Sequence, residues 1–414
     1  MSQFRVAIVN KILQPSGSLR WSYGWSRGLA AHGFQITTVF IRSSRSSEKL
    51  ADRFGDARVE VYVRGLLARV SEVVWYPLIY WLLRDVFTKE SSPDPLSWIL
   101  SPLIGRWKQN YDFALAHDEY TATSTFIAHR LFRLPYVLFF QEAVPQDEPR
   151  IQSLVLNRWR RVVARHAILL VANSKKIAES YERILGQKVW VIPHGSEPLE
   201  SITTAKQNAV LADTRWTEWR NPMFLLDIAE KVPETEFWVT SSFSSSDLSR
   251  RFNDEIHRRK LEGRVRVFDL LSEKRLEHLN ETAMVYVRWA ARAPGLPPES
   301  GSSFGVYQAC AAGCPMIVDS ALDIDPVLRE CDGVHIVPYD ADQFAYEIRR
   351  LYNDREQVAQ EAVATWELSK KISWETRAAT LLGLLHIPGR SEADLPTSDH
   401  TVSKSSTTER PSQL

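Results

Sequence analysis

The chain has 414 residues, enough for two or three domains of about 150 residues each. Its 51 Lys and Arg residues almost balance its 50 Asp and Glu residues, which argues against a nucleic-acid partner. The first residues, MSQFRVAIVN, lack the charged and then apolar pattern of a signal peptide. The longest apolar stretch, Val70–Leu83, contains Glu72 and Pro77 and is too short to cross a bilayer. We therefore expect a cytoplasmic protein.

The first half of the chain alternates predicted strands and helices. Phe4–Asn10 is typical of a buried parallel strand, Tyr23–His32 has helical spacing and ends at Gly33, and Phe34–Ile41 predicts the next strand. The alternation continues through the predicted strands Phe113–His117, Tyr136–Gln141, Ala167–Ala172 and Lys188–Ile192 and the predicted helices Thr123–Phe132, Arg158–Arg165 and Lys175–Leu185, with Ser174 as the cap of the last helix.

A second series of the same kind follows the polar stretch 200–208. Its predicted strands are Ala209–Ala212, Glu236–Thr240, Arg264–Phe268, Met284–Val287, Pro315–Val318 and Gly333–Val337. Its predicted helices are Pro222–Lys231, Leu248–Arg259, Lys274–Glu281, Phe304–Ala312, Pro326–Glu330, Ala341–Tyr352 and Glu356–Leu384. Residues 388–414 are polar and are predicted to be a disordered tail.

This pattern predicts an α/β protein with two Rossmann-like, doubly wound domains that face a cleft. We place the first domain at residues 1–195 and the second at residues 196–365. Ligands of such sheets bind outside the carboxyl ends of the strands, so the site should lie between the two domains.

The segment from Pro298 to Val318 is the most informative part of the sequence. It is a loop of small residues that runs into a helix, with Gly313 suited to the helix end and Pro315 preventing its continuation. Backbone N–H groups at such a helix start bind phosphate, and Ser302 and Ser303 add hydroxyl donors. The alternative is an ordinary loop, helix and strand with small residues for packing.

Five segments in the same order resemble motifs of the family-4 glycosyltransferases. They are His117–Tyr120, Val171–Ser174, Val191–Gly195, Phe304–Ile317 and Ile372–Glu375. The resemblance extends over most of the chain and implies the glycosyltransferase B fold, in which a C-terminal helix, here 366–387, packs back on the first domain. It also implies transfer of a sugar, with retention of configuration, from a nucleoside-diphosphate donor to a hydroxyl acceptor.

The resemblance assigns the donor-binding residues to the second domain. Arg215 and Arg220 fall where the family has an Arg and a Lys that bind the donor diphosphate; surface arginines beside Trp216 and Trp219 are the alternative. Further donor-binding residues implied are Glu299, Ser302, Ser303, Phe304 and Gln308. Two positions depart from the family: Gln308 replaces the acidic residue that binds the ribose, and Ser300 falls on the first acidic position, one residue after Glu299.

On the first domain, His117 is the strongest candidate for contact with the reacting sugar or the acceptor hydroxyl, because it ends an apolar strand. A structural hydrogen-bonding role is the alternative. Asp118 is grouped with it as a catalytic candidate, and Glu119 beside them could be a strand-end cap or part of the acceptor site. Gly17 would allow the backbone to approach the donor closely, or it makes a turn. Glu142 is a weaker acceptor-site candidate.

The function predicted from the sequence is therefore that of a nucleotide-sugar-dependent hexosyl-type glycosyltransferase acting in the biosynthesis of a polysaccharide, glycolipid or small glycoside. No cofactor or metal is expected, since no Asp-x-Asp motif follows a strand. Cys310, Cys314 and Cys331 do not have zinc-site spacing and are expected to be small buried residues.

Three alternatives remain open. The first is a catalytically silent protein of the same fold that binds a nucleotide or a partner, suggested by Ser300 and Gln308. The second is a sugar-nucleotide 2-epimerase, although the sequence shows no carboxylate cluster for that chemistry. The third concerns residues 70–107, rich in Trp, Leu, Ile and Arg, which either cover the first sheet as a helical hairpin or contact the inner face of a membrane, where the acceptor would be lipid-linked.

Overall fold

The computed structural model describes residues 4–13, 17–43, 58–63, 110–144, 150–240, 242–268, 271–292 and 303–385. Two parallel sheets with alternating helices follow one another along these residues. The predicted α/β class with two doubly wound sheets is thus confirmed. Residues 70–107, Glu299, Ser300, Ser302 and the tail 388–414 lie outside the described residues, so the predictions made for them stand as predictions.

The first sheet has seven strands in the order β3-β2-β1-β4-β5-β6-β7, all paired in parallel. The strands are β1 (Arg5–Leu13), β2 (Gln35–Ser43), β3 (Arg58–Val63), β4 (Phe113–Ala116), β5 (Tyr136–Phe140), β6 (Leu169–Ala172) and β7 (Trp190–Val191). Strands β4, β5 and β6 are buried throughout, which explains why their sequences are apolar without alternation. The sequence did not predict β3, because Arg58 and Glu60 interrupt its apolar residues.

The helices of the first domain are α1 (Gly17–Ala31), α2 (Thr121–Phe132), α3 (Arg150–His166) and α4 (Lys175–Leu185). Helix α1 starts six residues before its predicted beginning and has Gly17 as its first residue. The prediction of α4 is confirmed at both ends, and the Ser174 hydroxyl accepts a hydrogen bond from the Ile177 N–H at 3.4 Å. These helices place their N-termini at the carboxyl ends of the strands, where the strand order reverses between β1 and β4.

The second sheet has six parallel strands in the order β10-β9-β8-β11-β12-β13, with the same reversal between β8 and β11. The strands are β8 (Gln207–Ala212), β9 (Glu236–Thr240), β10 (Val265–Phe268), β11 (Ala283–Arg288), β12 (Met316–Asp319) and β13 (Val334–Val337). The helices are α5 (Met223–Lys231), α6 (Ser246–Arg258), α7 (Glu273–Thr282), α8 (Phe304–Ala311), α9 (Pro326–Arg329), α10 (Ala341–Asn353), α11 (Arg355–Lys371) and α12 (Trp374–Leu385).

One predicted helix was wrong. The sequence pattern predicted a single helix over Glu356–Leu384, but the chain forms α11 and α12 with a break at Ile372 and Ser373. At the break, the Ile372 carbonyl accepts from the Ser196 N–H at 2.9 Å, and the Trp374 N–H donates to the Ser196 carbonyl at 3.2 Å. The two segments that cross between the sheets therefore pair with each other as a parallel bridge. Apolar spacing alone could not reveal this long-range pairing.

Helix α12 packs against α1 of the first domain through Trp374, which is 6% exposed and lies in the apolar core beside Trp25. A Cβ atom at any of Gly24, Gly28 or Gly195 would overlap Trp374. Gly24 and Gly195 thus make room for the indole ring, and Gly28 makes room for the Trp374 carbonyl. Helix α12, the last described element, therefore packs on the first domain.

Candidate active site

His117 and Asp118 follow β4 at the carboxyl edge of the first sheet. The His117 ring lies edge-on to Trp21, with 4.9 Å between ring centroids, and its Nδ1 is 3.4 Å from Asp118 Oδ2. The other Asp118 oxygen accepts from the Thr121 N–H at 2.7 Å, and the Asp118 N–H donates to the Thr121 hydroxyl at 2.9 Å. Asp118 therefore orients His117 and fixes the start of α2 at the same time.

The carboxyl group of Asp118 is held in its ionised form. Burial would raise its pKa, but the hydrogen bond with His117 and the positive charges of His117 and Lys11 together lower the pKa to about 2. The neighbouring Glu119 has a different role. It lies 3.4 Å from the Arg160 guanidinium and accepts from the Tyr181 hydroxyl at 3.1 Å, which ties it into the structure beneath the site.

The structure adds His194 to this group, a residue that sequence reasoning quoted only within a motif. Its ring stacks on Phe304 of the second domain, with centroids 3.9 Å apart and planes at 22°. The Asn173 amide donates to its Nε2 at 3.2 Å, so the ring proton resides on Nδ1. Burial, followed by the positive charges of His117 and Arg377, lowers the pKa of His194 to about 3. His194 is therefore a neutral side chain that joins the two halves of the cleft.

Polar side chains at the ends of β5 and β6 continue this surface. The Asn173 amide nitrogen also lies 3.2 Å from both the backbone carbonyl and the side-chain oxygen of Gln141. Among the described residues, Oδ1 of Asn173 and Nε2 of Gln141 are buried polar atoms without a hydrogen-bond partner. Buried polar atoms in this state are uncommon in folded proteins. The weaker candidate Glu142, next along the chain, is exposed.

Gly17 and Phe304 meet across the cleft. They are the first residues of α1 and α8, and a Cβ atom on Gly17 would lie 3.3 Å from the Phe304 ring. Gly17 thus allows a close approach of the Phe304 ring, and the approach of its backbone to the donor stays a prediction. The start of α8 consequently faces the first domain.

The start of α8 rests on Tyr286 of β11. The Ser303 hydroxyl bonds to the Tyr286 hydroxyl, which donates to the Asp213 carbonyl at 2.9 Å. A Cβ atom on Gly305 would overlap the Tyr286 hydroxyl, so only glycine allows the helix to lie this close to the sheet. The first N–H groups of an α-helix have no partner within the helix and favour an anion.

The charge of Arg220 acts on the same tyrosine, whereas that of Arg215 does not. Arg220 ends a short 3-10 helix (Glu218–Arg220), its Nη1 donates to the Arg215 carbonyl at 2.9 Å, and its charge acts on Tyr286. The Arg215 side chain is exposed. Its contact with Arg220 is made by the backbone carbonyl and not by the guanidinium. The two arginines predicted as a pair thus have different roles.

Arg288 is a site residue that sequence reasoning missed. It is the last residue of β11, is 4% exposed, donates from Nη1 to the Thr214 hydroxyl at 2.5 Å, and places its charge near Tyr286. The signal was present in the sequence, because a single arginine directly follows the predicted strand Met284–Val287. Arg292, by contrast, is 2.7 Å from the buried carboxylate of Asp319 and lies over the Tyr339 ring.

Gln308 lies one turn into α8 and contacts the first domain. Its side-chain oxygen accepts from Arg20 Nη1 at 2.6 Å, beside a cavity of about 340 Å³ that Tyr23, Tyr307 and Glu273 also line. Arg20 thus already occupies one acceptor position of the Gln308 oxygen, and the ribose contact assigned to Gln308 stays a prediction.

The described residues contain no group of three or more His, Cys, Asp or Glu side chains able to hold a metal ion. Cys310 and Cys314 are buried and Cys331 is half-buried, and all three are free thiols. Gly313 follows α8 with φ of +60°, as expected for a helix end. None of the described helices is long and apolar enough to span a membrane.

Comparison with known proteins agrees with this architecture. Residues 17–195 match the family model of the glycosyl transferase 4-like domain. No curated protein is matched significantly by sequence.

Three solved structures illustrate the fold similarity. Anabaena HepE, solved with UDP and glucose, has 13% identity and a TM-score of 0.67 over 93% of this chain and 100% of that chain. Sucrose-phosphate synthase from Thermosynechococcus elongatus has 13% identity and a TM-score of 0.68 over 93% and 98% of the two chains. A variant of S. aureus TarM, solved with fondaparinux, α-GlcNAc-glycerol and UDP, has 10% identity and a TM-score of 0.67 over 94% and 100%. The chain thus has the glycosyltransferase B fold, and its residues 17–195 are similar to the glycosyl transferase 4-like domain.

Proposed function

We propose that this protein transfers a sugar from a nucleoside-diphosphate donor to a hydroxyl acceptor, with retention of configuration at the transferred carbon. One observation carries the proposal. The N-terminus of α8 rests on Tyr286, on which the charges of Arg220 and Arg288 act, and it meets His194 and Gly17 of the first domain at Phe304. A single ligand placed there would have cations and helix N–H groups at one end and neutral hydrogen-bonding side chains at the other.

The second-domain side suits the diphosphate. When the bond between the sugar carbon and the diphosphate oxygen breaks, negative charge develops on the departing phosphate. Arg220, Arg288, the Ser303 hydroxyl and the first N–H groups of α8 are positioned in advance around that charge and would stabilise it. We include Arg215 only as an outer contact, because its side chain is exposed.

The first-domain side suits the sugar and the acceptor. His117 turns Nδ1 toward ionised Asp118, so Nε2 is the ring atom left for a hydrogen bond with a ligand hydroxyl. The Asn173 oxygen and the Gln141 amide could complete the set if a hydroxyl reached them. In the reaction the bond between the sugar carbon and the diphosphate oxygen breaks, the acceptor oxygen bonds to the sugar carbon, and the acceptor proton passes to the departing phosphate oxygen.

The test begins with donor identity. Thermal unfolding should be measured with UDP, GDP and ADP and with their hexose conjugates, because a ligand that binds only the folded state raises Tm. The conjugate with the largest shift is then assayed for hydrolysis and for transfer to saccharide acceptors. Binding of none of the nucleotides would contradict the proposal.

A catalytically silent binding protein is the second candidate, and the bond between Arg20 and Gln308 favours it. That bond engages a side chain where the family has a ribose-binding acid. Nucleotide binding without hydrolysis or transfer in wild type, unchanged in His117→Ala, would support the silent protein. Turnover that is lost in His117→Ala while nucleotide affinity persists would support the transferase.

A further inference from the structure

A basic surface lies at the edge of the first domain opposite the cleft. Residues 150–190 contain nine Lys and Arg residues but only two acidic residues, although charges of the whole chain are almost balanced. Helix α3 has five arginines and no acidic residue. A charge imbalance this local indicates a surface adapted to an anionic partner rather than an ordinary solvated face.

The topology gathers part of these charges at one edge of the sheet, whereas Arg160 is buried against Glu119 and Lys176 contacts the second domain at the opposite edge. Helices α2, α3 and α4 each run back from the carboxyl ends of the strands, so their C-termini meet at the amino edge of the sheet. The His129 and His166 rings, near the ends of α2 and α3, are 5.5 Å apart. The Arg161 Nε donates to the Ile184 carbonyl at the end of α4 at 2.9 Å. We call this surface the distal face; its exposed basic residues are Arg130, Arg133, Arg161, Arg165 and Lys188.

The charges act together at this surface. Burial lowers the pKa of His166, and the positive charges of His129, Arg130 and Arg165 lower it further. The only acidic side chain in residues 180–190, Glu182, faces inward and accepts from the Val189 N–H at 2.9 Å. Basic side chains therefore outnumber acidic ones at the distal face; the exposed Asp112 at the same edge accepts from the Arg5 N–H at 2.7 Å.

Large apolar side chains are exposed among the same charges. Of the ten exposed large hydrophobic residues in the described part of the chain, six lie between Leu131 and Val191. On the distal face they include Leu131, Ile168 and Trp190, which are 57%, 52% and 37% exposed, and Lys188 lies over the Trp190 ring at 3.4 Å. Lipid interfaces accept aliphatic side chains and tryptophan beside basic residues, whereas a nucleic-acid backbone offers these aliphatic side chains nothing to bind.

We propose that the distal face docks the first domain on an anionic lipid surface. The basic side chains contact the headgroups, and Leu131, Ile168 and Trp190 enter the boundary between headgroups and acyl chains. Strands of four or five residues separate this face from the cleft, a distance of roughly 15 Å. Docking therefore leaves the cleft open to water on the far side of the domain, and it does not depend on the reaction proposed above.

The test is co-sedimentation of the full chain with vesicles of phosphatidylcholine alone or mixed with phosphatidylglycerol. Binding is expected only to the anionic vesicles and should weaken with added salt. The triple variant Arg130→Gln, Arg165→Gln, Lys188→Gln should bind roughly one-hundred-fold more weakly, since each basic residue near an anionic surface contributes a factor of roughly five. Its donor affinity should remain that of wild type.

The matched control removes the same charge elsewhere. Arg250→Gln, Arg258→Gln, Arg266→Gln alters exposed side chains of the second domain (72%, 67% and 60% exposed) and should leave vesicle binding intact. A second variant, Ile168→Ser with Trp190→Ser, should weaken vesicle binding and spare any weak attraction to heparin. Three results would each overturn the proposal. The wild type could bind neutral vesicles as tightly as anionic ones, the two triple variants could lose the same vesicle affinity, or the protein could bind RNA more tightly than anionic vesicles.

Discussion

The two sides of the cleft are built from opposite chemistry. The first-domain side consists of His117 with its carboxylate partner, neutral His194 and amide groups, and it relies on hydrogen bonds of fixed direction. On the second-domain side, the start of α8 rests on Tyr286, on which the charges of Arg220 and Arg288 act. The difference suggests that each domain binds a different part of the proposed ligand. The cationic second-domain side suits the diphosphate, and the hydrogen-bonding first-domain side suits the hydroxyl groups.

Removing the charge of Arg288 should have the largest effect on this division. In Arg288→Gln, affinity for the nucleoside diphosphate should fall by about 2–3 kcal/mol, the contribution of a hydrogen bond to a charged group. Isothermal titration calorimetry measures it. The control Thr214→Val removes the hydroxyl that Arg288 contacts but keeps the cation, so its affinity should change little. Equal losses in the two variants would show that Arg288 acts through the packing of the loop and not through its charge.

Displacing the start of α8 should have the next largest effect on diphosphate binding. Gly305→Ala puts a methyl group against the Tyr286 hydroxyl, and overpacking of this kind costs about 2 kcal/mol. We expect the strain to shift the helix start and to weaken diphosphate binding roughly ten-fold, an amount that about 1.4 kcal/mol explains. The double variant Tyr286→Phe, Gly305→Ala removes the obstructing oxygen and should recover part of the affinity. No recovery would mean that the hydroxyl is not the obstacle.

On the first-domain side, His194 should make the free energy of unfolding depend on pH in the acid range. Burial lowers the pKa of His194 to about 3, below its unfolded value of about 6.5. The unfolded chain then binds the extra proton, so His194 costs stability as pH falls below about 6.5, by up to about 1.4 kcal/mol per pH unit. His194→Phe keeps the stack on Phe304 and should flatten the pH dependence of unfolding between pH 6.5 and 4.5. His257→Phe, on an exposed side chain, is the control, and an equal flattening there would refute the assignment.

Asp118 acts in a separate window. Its pKa is lowered to about 2, so the stability it contributes is present above its unfolded value of about 3.9 and is lost only as pH falls toward 2. The titration of Asp118 therefore lies below the range of pH 6.5 to 4.5 in which His194 is tested.

The contact across the cleft should give the smallest effect. Arg20 and Gln308 join the two sides at 2.6 Å, and a double-mutant cycle of Arg20→Ala and Gln308→Ala should give a coupling of about 1 kcal/mol in donor binding. A coupling of zero would show that the hydrogen bond between Arg20 and Gln308 is absent when the donor is bound.

Local patterns predicted most of the fold, and they failed where distant residues decide the outcome. The apolar strands and the cap at Ser174 could be read directly, because burial and helix starts leave short-range signals. The break at Ser373 depends on pairing with Ser196, about 180 residues away along the chain, and no periodicity encodes it.

The candidate site divides in the same way. The resemblance placed His117, Ser303, Phe304 and Gln308, and the structure locates all four at or beside the cleft. It could not show that Arg20 engages Gln308, that His194 bridges the domains, or that Arg288 accompanies Arg220. Each of these depends on which strand ends lie side by side, which is a property of the assembled sheets.

The bridge between Ser196 and Ser373 has a mechanical consequence. Two domains joined by a single crossing could twist freely against each other, but here the outgoing and returning crossings are bonded to each other. These bonds tie the two crossings together and reduce the number of relative orientations open to the domains. The bridge therefore helps to fix the position at which Phe304 of the second domain stacks on His194 of the first.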